Sequence, residues 1–195
     1  DAFAKYSQAF PNEPKIQDYI LSILLSSERY DEALTRLRAR SAQNPGDKAN
    51  NLAIAKVLIR AGRLDEALAY VKSLGARADS MAHYTVGVAC FEKVRNDKEQ
   101  LISPEQRMVI VDAGIEELRK SVAMTPDSFD SLVYLNLVLR QKARLEVDPV
   151  VQQALIAEAN TRETWVRTWP WWVQFPVVLL LADLLAYGAH RAFHG

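Results

Sequence analysis

The feature that most constrains this chain is a sequence repeat with a period of about 34 residues. The segment Glu28-Arg-Tyr-Asp-Glu-Ala-Leu34 returns as Gly62-Arg-Leu-Asp-Glu-Ala-Leu68, so that Ala33 and Ala67 hold the same position in consecutive repeats. A repeat of this length is one supersecondary unit that cannot bury its apolar face alone. The chain is therefore expected to stack such units into a solenoid, in which contacts between neighbours supply most of the stability.

Each unit has the pattern of two antiparallel helices. Small residues, Ala33 and Ala67, stand where the two helices are expected to approach closely. Pro11 and Pro45, which are separated by the same period, follow a second helix, and a proline there turns the chain because it cannot continue the helix. Apolar residues at helical spacing are expected to fill the space between the helices; they are Ile20, Leu24, Leu37, Ile54, Leu58 and Val71.

This pattern resembles the tetratricopeptide repeat family. The resemblance covers residues 1–160 and implies an all-α domain, a solenoid of helical hairpins with about 3.5 repeats. Gly87 and Gly114 stand at small positions, whereas Arg40 replaces a small residue of the family pattern. Residues 1–13 have the pattern of the second helix of a preceding unit that is cut in half. The family's phasing places the units at 14–47, 48–79 and 80–128, with a partial unit from 129.

The third unit is longer than the others between about Val94 and Ile110. Within this insertion, Ser103 is suited to be a helix N-cap, Pro104 to be the first helical residue and Gln106 to complete a capping box. Two interpretations stay open at this point. The insertion is either a lengthened helix pair with a solvated elbow or a loop that selects a partner.

In the tetratricopeptide repeat family the first helices of the units line a concave groove that holds a protein or a peptide. The resemblance therefore implies a scaffold for protein–protein interaction, with the partner unidentified. Lys56 and Arg60 are one helical turn apart and are either a grip for a carboxylate or solvated surface charges. The groove positions implied by the resemblance are Lys15, Asp18, Ser22, Lys56, Ile59, Arg60, Tyr84, Val88, Phe91 and Arg140.

The composition changes abruptly after the repeats. From Trp171 to Ala189 there is a single charged side chain, Asp183. At about 1.5 Å per residue this stretch is about 28 Å long, close to the roughly 30 Å of a hydrocarbon core. We expect residues 161–195 to form a hydrophobic, membrane-embedded helix, which makes the chain membrane-associated. The pattern does not determine on which side of the membrane the repeats lie. The alternative is a helix buried against protein. Residues expected at the membrane interface are Trp169, Trp171, Trp172 and Arg191.

His190 and His194 lie four residues apart, a spacing that lets two imidazoles on one helix face share a metal. The string from Asp183 to His194 resembles the first histidine box of the fatty acid hydroxylase and sterol desaturase family, membrane proteins with a non-haem di-iron centre. That resemblance implies that His190 and His194 bind iron, and a fragment of such an oxidoreductase is the alternative function. The family uses several histidine boxes, whereas this chain has three histidines in total. The chain by itself is therefore expected to be neither an enzyme nor the holder of a cofactor.

Composition disfavours several other classes of function. The 24 basic residues are balanced by 24 acidic ones, so the basic excess of a nucleic-acid-binding protein is missing. Cys90 is the only cysteine; it cannot form an intrachain disulfide and is expected to be a small buried helix residue. The chain has no Gly-rich phosphate loop, paired-cysteine metal site or nucleophile elbow. Because the chain begins at Asp1, we interpret it as a fragment or a processed product. The join of a repeat solenoid to a hydroxylase-like segment suggests a fragment or a chimera.

Overall fold

A computed structural model describes residues 14–161 of the chain, with side chains from Asp18 to Asn160. Within this range the regular secondary structure is helical, and short loops join the helices. A short 3₁₀ turn, Gly75–Arg77, follows the fourth helix. The helices are α1 (Pro14–Ser26), α2 (Tyr30–Gln43), α3 (Lys48–Arg60), α4 (Leu64–Leu74), α5 (Ser80–Arg95), α6 (Pro104–Met124), α7 (Phe129–Leu145) and α8 (Pro149–Thr161).

The helices form four consecutive pairs, α1/α2, α3/α4, α5/α6 and α7/α8. Each helix packs against the next one in sequence, and the first helices of successive pairs also touch, α3 with α5 and α5 with α7. This is the contact pattern of a helical solenoid, and it confirms the expected architecture over the described range. The unit that sequence phasing starts at 129 contains two packed helices, because α8 lies against α7. The half unit expected at residues 1–13 lies outside the described residues.

The small residues of the repeat stand where two helices meet. Ala33 and Ala67 are both fully buried, as the repeat predicts. Burying a leucine or isoleucine side chain contributes about 1.5–3 kcal/mol, so the apolar positions between these helices supply the main stabilisation. The six predicted core residues are all buried, and they are Ile20, Leu24, Leu37, Ile54, Leu58 and Val71.

Glycines allow α5 and α6 to cross at close range. A Cβ atom placed on Gly87 would lie 2.6 Å from Cγ of Leu118, and one placed on Gly114 would lie 2.9 Å from Cβ of Cys90. Real side-chain contacts do not come so close, so both positions require glycine. The structure therefore confirms that Gly87 and Gly114 occupy positions where the repeat requires a small residue. In the first pair, by contrast, Arg40 extends to Asp18, with a distance of 3.2 Å between Nη1 and Oδ1.

The repeated heptapeptide forms the turn into the second helix of a pair. Gly62 has a φ of 75° and Glu28, at the same position of the preceding repeat, has a φ of 56°, so both turns pass through the left-handed conformation. The next residue, Arg29 or Arg63, donates from Nε to the glutamate three residues later, at 2.6 Å in both turns. Arg63 also donates to Asp31 across 2.7 Å and so links the second pair to the first. These contacts explain why the motif recurs as a block.

The insertion of the third unit is mostly helical. α5 continues to Arg95 and α6 begins at Pro104, so the non-helical elbow is confined to residues 96–103. Ser103 caps α6 and forms the predicted capping box with Gln106. Asp97 fixes the elbow by accepting hydrogen bonds from the backbone N–H groups of residues 101 and 102, at 2.9 and 3.0 Å, and from the Arg107 guanidinium. The insertion is thus a lengthened helix pair with an ordered elbow; its role in selecting a partner stays a prediction.

Candidate functional site

Residues of the first helices α1, α3 and α5 line a groove with a volume of about 490 Å³. Its walls are mainly aliphatic, and its charged groups come from α3 and α5. α1 contributes two leucines one helical turn apart, α3 contributes one face of its last two turns, and α5 contributes its middle turns. The lining residues are Leu21, Leu25, Ala53, Lys56, Val57, Ile59, Arg60, Thr85, Val88, Ala89 and Glu92.

The charged groups of the groove differ in their partners. Lys56 and Arg60 are exposed, and the side chain of neither forms a hydrogen bond or an ion pair with any residue between 18 and 160. Glu92, in contrast, accepts hydrogen bonds from Arg95 and Asn96, both at 3.1 Å. The groove therefore combines an apolar wall with two cations one helical turn apart whose charge is not matched within the described part of the molecule.

Four of the sequence-predicted positions are brought together in this groove, namely Lys56, Ile59, Arg60 and Val88. On α1, Asp18 instead pairs with Arg40, and Ser22 is exposed and donates through Oγ to the carbonyl of Tyr19 at 2.7 Å. The side chain of Lys15 lies outside the described residues. The wall on α1 is formed by Leu21 and Leu25, which were not among the predicted groove positions. The sequence pattern that could have identified them is an apolar pair one helical turn apart, directly after the core residues Ile20 and Leu24.

The predicted aromatic positions lie at the junction between α5 and α7. Phe91 is only 9% exposed and belongs to the core, so little of its side chain reaches the groove surface. The ring of Phe91 packs nearly edge-on against the ring of Tyr134, with a centroid distance of 5.8 Å. The ring of Tyr84 packs against the Tyr134 ring in the same way, at 5.7 Å. Burial raises the pKa of Tyr84. These rings hold the first helices of two neighbouring pairs together, because edge-to-face aromatic pairs contribute about 0.5–1.5 kcal/mol beyond their buried area.

Arg140, the last predicted groove position, is engaged within its own helix pair. Its Nε donates to Asn136 on α7 and its Nη2 donates to Asn160 on α8, both at 2.8 Å. Asn136 is buried and also donates to the backbone carbonyl of Ala159 at 2.7 Å. Arg140 therefore serves the packing of α8 on α7.

Two groups of chemical interest are buried in the scaffold. Nδ1 of His83 lies 2.6 Å from Oε2 of Glu117, and Nζ of Lys120 lies 2.7 Å from the other carboxylate oxygen. Burial acts to raise the pKa of Glu117, but the hydrogen bonds from His83 and Lys120 outweigh it, so the pKa is lowered. Cys90 is fully buried, and burial raises the pKa of its thiol to about 12, which makes it a packing residue as expected. Both groups join α5 to α6.

The expectations for the C-terminal segment fall outside the described residues. These are the membrane-embedded helix over 161–195, the iron ligands His190 and His194, and the interface residues Trp169, Trp171, Trp172 and Arg191. Between Pro14 and Thr161, no helix is both long and apolar enough to cross a bilayer. Nor does this part of the chain gather three or more His, Cys, Asp or Glu side chains into a candidate metal site.

Comparison with known proteins agrees with the helix pairing. No curated protein matches the chain. A family model does match, from Leu24 at the end of α1 to Tyr84 near the start of α5, and it spans α2, α3 and α4 completely. Beyond Tyr84, the paired packing of α5 with α6 and of α7 with α8 continues the same architecture. Residues 24–84 thus match the family described as tetratricopeptide repeat, whose members generally mediate protein–protein interaction.

Proposed function

We propose that this chain is a scaffold that binds a segment of another protein in the groove formed by α1, α3 and α5. The observation that carries the proposal is the groove itself, an aliphatic trough of about 490 Å³ bordered by Lys56 and Arg60. The volume lies within the range of about 300–1,000 Å³ that ligand pockets commonly have. The function generally associated with tetratricopeptide repeats supports the same proposal.

The chemistry of the walls defines the partner. Leu21, Leu25, Ile59 and Val88 offer apolar surface without a matching set of backbone donors, because every groove wall is a helix whose backbone groups bond internally. Such a surface recognises apolar side chains that repeat along a helix or an extended segment. The bound segment is therefore proposed to place two or more aliphatic or aromatic side chains in the trough.

The two cations add a requirement for negative charge. Lys56 and Arg60 lie beside an apolar wall and lack an anionic partner within the described residues. An acidic side chain of the bound segment would meet both cations, and hydrogen bonds between charged groups are stronger than neutral ones. The partner is thus proposed to be an apolar segment that carries at least one carboxylate.

A peptide selection tests this function. A library of random peptides displayed on phage is selected against the full chain, and binding of the enriched peptides is measured by fluorescence anisotropy. We expect apolar peptides with an acidic residue to be enriched. Ala53→Glu, which places a carboxylate inside the groove, should abolish their binding, and Arg60→Ala should weaken it severalfold.

Ala69→Glu is the matched control, because Ala69 is an exposed alanine on α4 that does not line the groove. It should bind the selected peptides as the unmodified chain does. Selection of no common sequence, or peptides that bind Ala53→Glu and the unmodified chain equally well, would overturn the proposal.

Two further functions stay predictions that rest on the C-terminal segment. A tether to membrane lipid would hold the groove at a bilayer through residues 161–195. Iron bound by His190 and His194 would belong to a fragment of a membrane oxidoreductase and would be detected by metal analysis of the purified chain. Loss of that iron in His190→Ala would support the second function, and iron-free protein would remove it.

A further inference from the structure

The groove continues beyond the end of α3. A second hollow, with a volume of about 360 Å³, adjoins it, and both are lined by Ile59, Ala89 and Glu92. The other walls of this second hollow are the turn from α3 to α4 and the last turn of α5. These walls consist of Gly62, Leu64, Lys93 and Asn96. The groove and the second hollow are therefore two parts of one depression.

A third hollow, of about 450 Å³, lies beside the inserted elbow of the third unit and is called the elbow hollow below. Lys93 lines both the second hollow and the elbow hollow. Asp65, on α4, directly follows Leu64 of the second hollow. The remaining lining residues are Ile102, Glu105, Gln106, Val109 and Ile110. Because α5 lines all three hollows, together they form an extended groove that leads from α1 and α3 to the elbow.

The elbow hollow has a fixed apolar surface. The carboxylate of Asp97 holds the elbow through the backbone N–H groups of residues 101 and 102 and through Arg107. Beside this elbow Val109 is 68% exposed, and Ile102 and Ile110 are half-buried. An ordered surface binds an apolar side chain without the cost of ordering a loop. The elbow hollow is therefore suited to a further apolar side chain of a bound segment.

The charges differ between the two ends of the extended groove. Lys56 and Arg60 make the groove positive, whereas the elbow hollow places the exposed carboxylates of Asp65 and Glu105 beside a single cation, Lys93. The side chain of Asp65 forms no hydrogen bond or ion pair with any residue between 18 and 160. Charge complementarity steers and aligns a partner. A segment that is acidic at the groove and basic at the elbow matches both ends.

We propose that the elbow hollow binds the same partner segment as the groove and selects segments with an additional apolar residue and a basic residue at one end. This assignment rests on the proposed function, because one segment occupies both places. The lining residues of α5 advance from Thr85 to Asn96, which is about 17 Å along the helix. An extended chain spans that length with about five residues. The basic residue of the segment is thus separated from its acidic residue by several apolar positions.

A second peptide selection tests the elbow hollow. The core peptide that the first selection enriches for the groove is kept fixed and flanked on each side by about six randomised residues, enough to reach the elbow as an extended chain. Selection against the full chain should enrich an apolar residue and a lysine or arginine in one flank. In fluorescence anisotropy the extended peptide should bind about tenfold more tightly than the core peptide, through one buried apolar side chain and one ion pair.

Two substitutions in the elbow hollow separate it from the groove. Asp65→Lys and Val109→Glu should each reduce the affinity of the extended peptide to that of the core peptide. Both variants should bind the core peptide as the unmodified chain does, which also shows that they are folded.

Each substitution has a matched control outside the extended groove. Asp130→Lys matches Asp65→Lys, because Asp130 is the second residue of α7 as Asp65 is of α4, and both are exposed. Val150→Glu matches Val109→Glu, because Val150 is a similarly exposed valine, at 74%, on α8. Neither position lines any of the three hollows, so both controls should bind both peptides like the unmodified chain.

The possible failures are distinguishable. If the core peptide binds but neither flank is enriched, or if the elbow variants bind the extended peptide as tightly as the unmodified chain, the elbow assignment is overturned and the proposed function stands. If no core peptide is obtained, both are overturned. Self-association in sedimentation velocity that Val109→Glu abolishes would assign the elbow hollow to a second copy and overturn its assignment to the partner segment.

Discussion

At the scale of single residues, the two copies of the heptapeptide form the same turn, but they differ in the residue at its left-handed position. Both copies need a left-handed residue, and the second uses Gly62 while the first uses Glu28. This conformation costs a residue with a Cβ atom about 1–2 kcal/mol, whereas glycine adopts it freely. The Glu28 side chain is exposed and makes no hydrogen bond or ion pair with a described residue, so nothing in this part of the structure offsets its strain.

Glu28→Gly is therefore expected to stabilise the chain. The relief of strain exceeds the roughly 0.5–1 kcal/mol of additional chain entropy that glycine brings to the unfolded state, leaving a net gain of up to about 1 kcal/mol. Urea unfolding followed by circular dichroism measures this gain. Glu28→Ala is the control and should change stability by less than about 0.5 kcal/mol, because alanine keeps the strained conformation. A Glu28→Gly variant less stable than Glu28→Ala would contradict the argument.

At the scale of elements, α5 and α6 are joined by a buried ionic contact beside their glycine crossing. Glu117 on α6 is 5% exposed and accepts hydrogen bonds from His83 on α5 and from Lys120 one turn further along α6. Burial opposes the charged form of Glu117, but these hydrogen bonds lower its pKa overall. The carboxylate only accepts, so Nδ1 of His83 is the donor. Removing one partner of such a buried contact leaves the other without a bond, at a cost of about 1–3 kcal/mol.

Glu117→Gln should consequently destabilise the chain in a pH-dependent way. A carboxyl group whose pKa is lower in the folded than in the unfolded state contributes stability above its unfolded pKa of about 4.3 and loses it as the pH falls through the folded value. The difference in unfolding free energy between the two proteins should be largest at about pH 6–7 and shrink below about pH 4. Urea titrations between about pH 3 and pH 7 measure it. Glu99→Gln is the control, because Glu99 is exposed and does not contact Lys120 or His83. A difference that is constant over this range would contradict the ionic role of Glu117.

The sequence predicted the elements of this fold better than it predicted the groove. The repeat period identifies the residues that face a partner helix, since Ala33 and Ala67 are constrained by the same close contact. The period does not identify which face of a first helix stays exposed and lines the groove. This exposure depends on how far each helix pair is rotated relative to the previous pair. The groove wall therefore uses Leu21 instead of Ser22, the next residue on the same helix. The position of Phe91 has the same origin, since its ring packs against Tyr134 in the next pair.

At the scale of the whole molecule, most of the buried apolar residues between Asp18 and Asn160 belong to two clusters that meet in α5. The first extends from Ile20 on α1 to Val86 on α5, and the second extends from Phe91 on α5 to Ala159 on α8. A solenoid has contacts only between neighbouring units, so its stability is approximately a sum of unit and interface terms. A destabilising substitution in one cluster should therefore increase local unfolding only at that end of the solenoid, unless the loss of structure reaches α5.

Leu37→Ala and Leu139→Ala test this division, because each leucine is almost completely buried in one of the two clusters. Each change is expected to cost about 2–5 kcal/mol through lost burial and a residual cavity. Hydrogen exchange followed by mass spectrometry should show faster exchange in α1–α3 for Leu37→Ala and in α7 and α8 for Leu139→Ala, with the opposite end close to the unmodified chain. The double variant should lose the sum of the two single costs within about 0.5 kcal/mol, as distant independent sites do. Faster exchange along the whole solenoid in either single variant would instead indicate that α5 merges the two clusters into one cooperative core.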